Sequence, residues 1–406
     1  EMPVRVTTRI PHGNAADVLV REATGGVEVA FSPHPMGGVE CLWFCFRVTG
    51  CGSRRLRVVM RNFDNILYWS GSPRNLRPVA RRRGGDWERL GHGTPVGRPD
   101  GRTDVAWEVS RPGPALDVAF CYPYGRPELE SLLGRARGRL QADVIGVSQG
   151  GRPLVRISNG FGVRGSRAPG IYLSARQHAG ETPGSWVLEG ALEGLAAAGD
   201  RAPLVWAVPL ADIDSIEEGA YGKDRYPCDL NRAWTAPMMR HEAQVIAQDV
   251  NRWRERCRPV LALDFHAQGG ASATGLYFIP SDHGKAGLRR TAAGWERRIA
   301  RHLGARLMPR RHGGGEKLSP SAQAWARTGY LPRWPGILWT DYCMDNGIPA
   351  TLLEIPYAMA GPLLFRRDTY REVGRRVATV LLKGCAEIDA TKGRGMGQFG
   401  HPRLKK

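Results

Sequence analysis

The sequence predicts an α/β protein led by a smaller β-sandwich, and three observations carry that expectation. From Ala142 onward, buried-strand and helical patterns alternate, the order of an α/β fold. Before about residue 122, short strand-like runs are separated by Gly and Pro, as in a sandwich. Two of the apolar runs in the second part lead into histidine, which puts chemistry at one edge of a sheet.

In the first part the clearest strands are 27–31, 41–48, 56–60, 105–109 and 117–120, and the stretch 91–113 carries a hairpin with a long loop. Tyr122-Pro123-Tyr124-Gly125 marks a boundary. The expected division is a sandwich over 1–125, a catalytic domain over 126–388 and a basic, Gly-rich, flexible tail over 389–406. Pro127 opens a helix that reaches Arg137, since proline suits a helix start. Further helices are expected over 185–198, 238–256, 286–303 and 369–388. The segment 312–335 begins His312-Gly313-Gly314-Gly315 and reads as a lid-like insertion.

The 406 residues, 42% of them hydrophobic and 12 of them Trp, suffice for two cores. No apolar run reaches the roughly 18–20 residues that span a bilayer, and no charged-then-apolar leader opens the chain. No membrane partner is expected. Net charge is +19, and of the 58 basic residues only seven are lysine, a bias that accompanies GC-rich coding. The densest patches, 54–57 and 81–83, would attract acidic substrates or nucleic acid. No nucleic-acid motif accompanies them, so nucleic acid is not an expected partner. Eight cysteines are scattered without a Cys-x-x-Cys pair, which suits reduced thiols in a cytoplasm rather than a secreted framework.

The chemistry starts at His178-Ala179-Gly180-Glu181, directly after the apolar run 170–175. An imidazole and a carboxylate three positions apart at a strand end can face one cation, and catalytic zinc takes three protein ligands and leaves a position open. The run 259–265 leads into His266, which supplies the third ligand at the same sheet edge. Asp264 lies two positions earlier on the same strand face; it either orients His266 or is an ordinary strand-end acid. Glu354 stands alone between Leu353 and Ile355 in an apolar run. A carboxylate there is costly without a partner or a task, and a base beside the metal is such a task. Asn231-Arg232 lies between the first two ligands and the third; a guanidinium forks onto a carboxylate.

These motifs together resemble the zinc metallocarboxypeptidases, nearest the cytosolic carboxypeptidase branch. The residues that carry the resemblance are 177–185, Asp229-Leu230-Asn231-Arg232, Asp264-Phe265-His266 and Leu353-Glu354, within a span of about 127–385. It implies a mixed-sheet catalytic domain behind an N-terminal β-sandwich, one zinc per chain on His178, Glu181 and His266, Glu354 as general base and acid, and Asn231 and Arg232 on the substrate carboxylate. The family's usual product is one residue released from a peptide C-terminus. The branch pattern also departs here: where it has the arginine that steadies the oxyanion, this chain has Gly222. Losing such a donor costs on the order of 100-fold or more. Lys223 is the first replacement and Arg225 the second; otherwise the metal alone meets the charge. For the tyrosine that closes over substrate in the family, Tyr330 is the counterpart and Tyr342 the runner-up, unless either simply packs.

The leading function is therefore zinc-dependent hydrolysis of an amide, as a carboxypeptidase acting on a peptide or peptide-like substrate with a free carboxylate, the released residue being acidic. A specialised amidase or deacylase for a small amide is the alternative. A basic binding module on an inactive hydrolase fold ranks last, because all three ligands and the base are present.

Overall fold

The structure is a computed structural model and describes residues 3–23, 26–38, 40–66, 72–223, 227–309 and 337–395. Two five-stranded sheets form its first part. One orders the strands Arg5–Thr7, Cys45–Gly52, Gly113–Ala119, Val79–Arg82 and Glu88–Arg89; the other orders Ala16–Ala23, Gly26–Ser32, Arg55–Met60, Thr103–Val109 and Thr94–Gly97. Their inner faces share one core, in which Phe31 of one sheet meets Phe46 of the other with ring centroids 4.7 Å apart. This is the expected sandwich. The 91–113 stretch does carry a hairpin, Thr94–Gly97 against Thr103–Val109.

Strands over 5–7, 16–23 and 79–82 have no counterpart in the sequence reading. Their charged outward positions hide the apolar alternation, and tertiary pairing supplies what local pattern does not. The same region pairs part of the basic patches. Arg54 meets Glu22 at 2.6 Å, Arg57 meets Glu28 at 3.2 Å, and Arg81 meets Asp117 at 2.9 Å while lying over Trp87. These arginines balance acids of the sandwich.

A seven-stranded mixed sheet organises the second part. Its order is Gln141–Val147, Pro153–Ser158, Leu204–Val208, Pro169–Ala175, Arg258–Ala267, Ala350–Ile355 and Tyr277–Pro280. The four strands from Leu204–Val208 to Ala350–Ile355 are parallel, and the others pair antiparallel. Alternation along each parallel strand divides the core in two. Ile171, Leu173, Leu261 and Leu263 face a layer that includes Trp186, Val187, Ile299 and Val377. Tyr172, Trp206, Ala262 and Ala350 face Ile246, Val250, Trp253 and Trp339. Burial on both faces is why these strands read as continuous apolar runs.

Helices Arg126–Ala136, Thr182–Ala197, His241–Arg254 and Ala286–Leu303 fall close to the expected ranges. The last helix corrects the sequence reading. It runs Arg367–Gly395, seven residues past Ile388, so 389–395 is helical rather than tail, while 396–406 lies outside the described residues. No proline stands there to stop an established helix, and Gly393 costs only about 1 kcal/mol. Among the described residues no helix is long and apolar enough to cross a membrane. The expected lid 312–335 lies outside the described residues.

The first part is bolted to the second. Phe120 packs edge-on against Tyr357 at 4.7 Å, and Arg89 reaches the Tyr370 hydroxyl at 2.8 Å and the Phe365 carbonyl at 3.0 Å. Helices Thr182–Ala197 and Arg367–Gly395 touch backbone to backbone: a Cβ at Gly190 would run into Arg371, and one at Gly374 into Val187. Gly190→Leu should therefore lower unfolding stability by about 1–3 kcal/mol through overpacking. Urea denaturation should show a lower midpoint with an unchanged slope.

Candidate metal centre

Parallel pairing assembles the site at one sheet edge. His266 is the register partner of Glu354 on the next strand, and Ala175, three residues before His178, pairs with Phe265. Partnered positions in parallel strands share a face. His266, Asp264 and Glu354 therefore point the same way at the carboxyl ends of their strands. From the other side of that edge comes Glu181, which immediately precedes the helix Thr182–Ala197.

The structure brings His178, Glu181 and His266 together, all buried, with their ligand atoms within 4.8 Å of one another. His178 Nδ1 lies 2.9 Å from Glu181 Oε1, and His266 Nδ1 lies 2.9 Å from Glu181 Oε2. Each imidazole turns its other nitrogen to a carboxylate. His178 Nε2 is 3.2 Å from Asp229 Oδ2, and His266 Nε2 is 2.9 Å from Asp264 Oδ2. An imidazole steered by a carboxylate on its far nitrogen is the usual support of a metal-binding histidine. Two nitrogens and a carboxylate converging in this way fit a borderline-soft divalent cation.

Burial alone would lower His178, but Asp229 and then Glu181 outweigh it and push the imidazole up to about 9. Burial would raise Glu181, yet His178 and His266 pull it well below the usual carboxylate range. Glu354 goes the other way: burial first, and the Glu181 charge second, push it up to about 7. Its Oε2 is buried with no hydrogen-bond partner among the described residues. An unpaired carboxylate inside a protein is expensive, so its position beside the trio is notable.

Lys223 also enters the centre. Its Nζ lies 3.7 Å from Glu181 Oε1 and 3.4 Å from Glu40 Oε2. Burial would lower this amine, but Glu40, then Glu181 and Glu354, outweigh it and hold it cationic. Gly222 has a physical reason to be glycine. Its φ is +90°, and a Cβ there would stand 2.6 Å from the Ala179 nitrogen, inside the His178–Glu181 turn. An arginine at this position would break the turn that carries both ligands, so any cation for the site has to come from a neighbour.

Asn231 and Arg232 sit in the short turn Leu230–Arg232 beside the trio. Asn231 is buried; its Oδ1 accepts from the Trp339 amide at 3.2 Å, and its Nδ2 stands 3.4 Å from His266 Nε2. Arg232 is half-buried and donates to the Asn231 carbonyl at 3.0 Å. Tyr342 packs against Trp234 with centroids 5.6 Å apart. Arg225 and Tyr330 lie outside the described residues.

Two supporting residues escaped the sequence reading. Asp229 was part of a motif but had no assigned task, because nothing local says that it faces His178. Arg176 has φ +67° and is buried; its guanidinium holds the Ala179 carbonyl at 2.6 Å and the Tyr124 carbonyl at 2.9 Å, tying down the ligand turn. An arginine between an apolar run and His178 was the available signal.

Comparison with known proteins bears on the fold. A metallo-carboxypeptidase from Burkholderia cenocepacia superposes with a TM-score of 0.75 at 17% identity, covering 95% of this chain and 100% of that one. A metallo-carboxypeptidase from Pseudomonas aeruginosa, solved with (2-guanidinoethylmercapto)succinic acid, gives 0.71 at 20% identity over 95% and 100%. The fold is that of a metallo-carboxypeptidase. In sequence, the chain is 27% identical over 220 residues to cytosolic carboxypeptidase 6 of Mus musculus, covering 48% of this chain and 40% of that protein. It is also 27% identical over 236 residues to an uncharacterized protein of Zymomonas mobilis, covering 55% and 58%. The chain thus spans about half the length of the curated relatives it matches. No family model matches it. The resemblance read from four motifs holds for fold and for sequence neighbours alike.

If the two carboxylates steer the imidazoles, Asp229→Asn and Asp264→Asn should each weaken binding of a divalent metal by about 10–100-fold. Competition with a chromophoric chelator measures this directly.

Proposed function

We propose that the protein is a zinc-dependent carboxypeptidase that releases one residue from the C-terminus of a peptide or peptide-like substrate, in a cytoplasm. The single observation that carries this reading is Glu354: a half-buried glutamate whose Oε2 is buried without a partner among the described residues, paired in register with His266 beside a His–Glu–His trio. His178, Glu181 and His266 would hold one zinc ion per chain. When bound there, zinc would supply Lewis-acid polarisation of the scissile carbonyl and acidify the attacking water.

The remaining work falls to the chain's own residues. Glu354 takes a proton from the attacking water and returns it to the leaving nitrogen, so that one amide and one water become a carboxylate and an amine. Lys223 donates to the carbonyl oxygen as it gains charge. Arg232, with the amide of Asn231, binds the free carboxylate of the substrate. With two cationic side chains near the reacting bond, peptides ending in acidic residues are the first substrates to test. Arg225 and Tyr330 remain the second cation and the closing tyrosine of this reading, and turnover of free peptides against capped small amides separates it from an amidase.

Glu354→Gln should bind zinc as the wild type does and lose nearly all turnover; metal analysis beside a peptide assay checks both halves. Lys223→Met should cut kcat by on the order of 100-fold with zinc retained. The pH profile follows from the sign of the Glu354 shift. A base accepts a proton only when ionised, so kcat/KM should rise with pH along an acid limb. The neighbouring metal charge favours the carboxylate, which places that limb at or below about 7. A rate that is flat across the range where Glu354 titrates would remove it from the base role.

A further inference from the structure

We propose that Glu40, supplied by the N-terminal sandwich region, is a positioning residue of the metal centre: it draws the Lys223 ammonium off Glu181 and leaves that carboxylate for the cation. The inference rests on the proposed metal reading and adds a residue from outside the catalytic part of the chain.

The geometry is a contest for one cation. Lys223 Nζ stands between Glu40 Oε2 at 3.4 Å and Glu181 Oε1 at 3.7 Å, with both ends of the Glu40–Lys223 pair only 20% exposed. The Tyr221 ring lies 5.5 Å from the same ammonium. Lys223 therefore has two carboxylates within 4 Å, with the Glu354 charge also acting on it. Its backbone is pinned by the same region that supplies Glu40. A Cβ at Gly38 would collide with the Lys223 carbonyl oxygen, so Gly38 lies directly on this turn. Asn14 Nδ2 donates to the Gly219 carbonyl at 2.8 Å, and His12 Nδ1 meets the Ile216 carbonyl at 3.0 Å. The sandwich fixes both the loop and the counter-charge.

An ammonium and a divalent cation cannot share one carboxylate without cost, because like charges a few ångströms apart repel strongly in a partly dehydrated site. Glu40 settles the contest. With its charge present, Lys223 has a partner of its own and Glu181 can face the metal. With that charge removed, Lys223 leans on Glu181 and competes with the metal for it. Gly222, which cannot carry the family's arginine, makes this arrangement necessary: the cation comes from the next residue along and has to be held back from the ligand beside it.

The test is zinc affinity, measured by chelator competition on the full chain, in wild type, Glu40→Gln, Lys223→Met and the double variant. Glu40→Gln should weaken zinc binding by about tenfold. Lys223→Met should bind zinc as tightly as wild type or more tightly, and the double variant should match Lys223→Met. Equal losses from Glu40→Gln with and without Lys223, or no loss at all, would overturn the role of Glu40 while leaving the metal site intact. Should Glu40→Gln not fold, Lys223→Met decides alone, since a tenfold loss there contradicts the proposed competition. A wild type that binds no zinc overturns both this inference and the metal reading beneath it.

Discussion

A buried negative charge on Glu181 is the constraint around which this molecule is arranged. Its two oxygens are each 2.9 Å from an imidazole nitrogen, and Oε2 also accepts the Ala267 amide at 3.0 Å. A carboxylate taken out of water survives only with such partners. Supplying them sets the positions of two strands, one helix start and one turn. Charge balance then spreads outward. His178 and His266 answer Glu181, Asp229 and Asp264 answer the imidazoles, and beside them the charge of Glu354 is disfavoured by burial and by Glu181.

That layering links fold to chemistry. The parallel pairing puts His266 and Glu354 on adjacent strands at matched register, so their spacing follows from the sheet and not from a flexible loop. The loop-borne parts are each tied to something rigid. Arg176 holds the ligand turn, Arg240 grips the Cys228 carbonyl at 3.2 Å and Asp212 at 3.0 Å next to the Asp229 turn, and the sandwich holds the Lys223 turn. Rigid support of this kind is what lets a site keep its groups within the tolerance that catalysis and metal binding need.

The sandwich thus has a local effect on the centre. Its core continues without a break into the core around the seven-stranded sheet, and some of its polar contacts, from His12 and Asn14, fall on the segment 216–223. Within the arginine-rich stretches that look like a binding surface in the sequence, Arg54, Arg57 and Arg81 pair with acids of the sandwich itself.

The sequence by itself determined the architecture and the innermost residues. Strands buried on both faces leave long apolar runs, and a His or Glu that interrupts or ends such a run stands out because burial makes it costly; this is why 170–178, 259–266 and 351–355 were legible. Tertiary structure alone decided the second layer. Asp229 faces His178 from 51 residues away in sequence, and Glu40 faces Lys223 across a gap of 183, each delivered by a turn whose path no local pattern encodes. Gly222 shows the same division. In sequence it is a missing arginine, and in three dimensions it is a position where any Cβ would strike Ala179. The length of the last helix was likewise hidden, because cooperative extension from a packed helix overrides the weak propensities of 389–395. Pattern reports what a segment must bury, and only packing reports which distant charge it meets there.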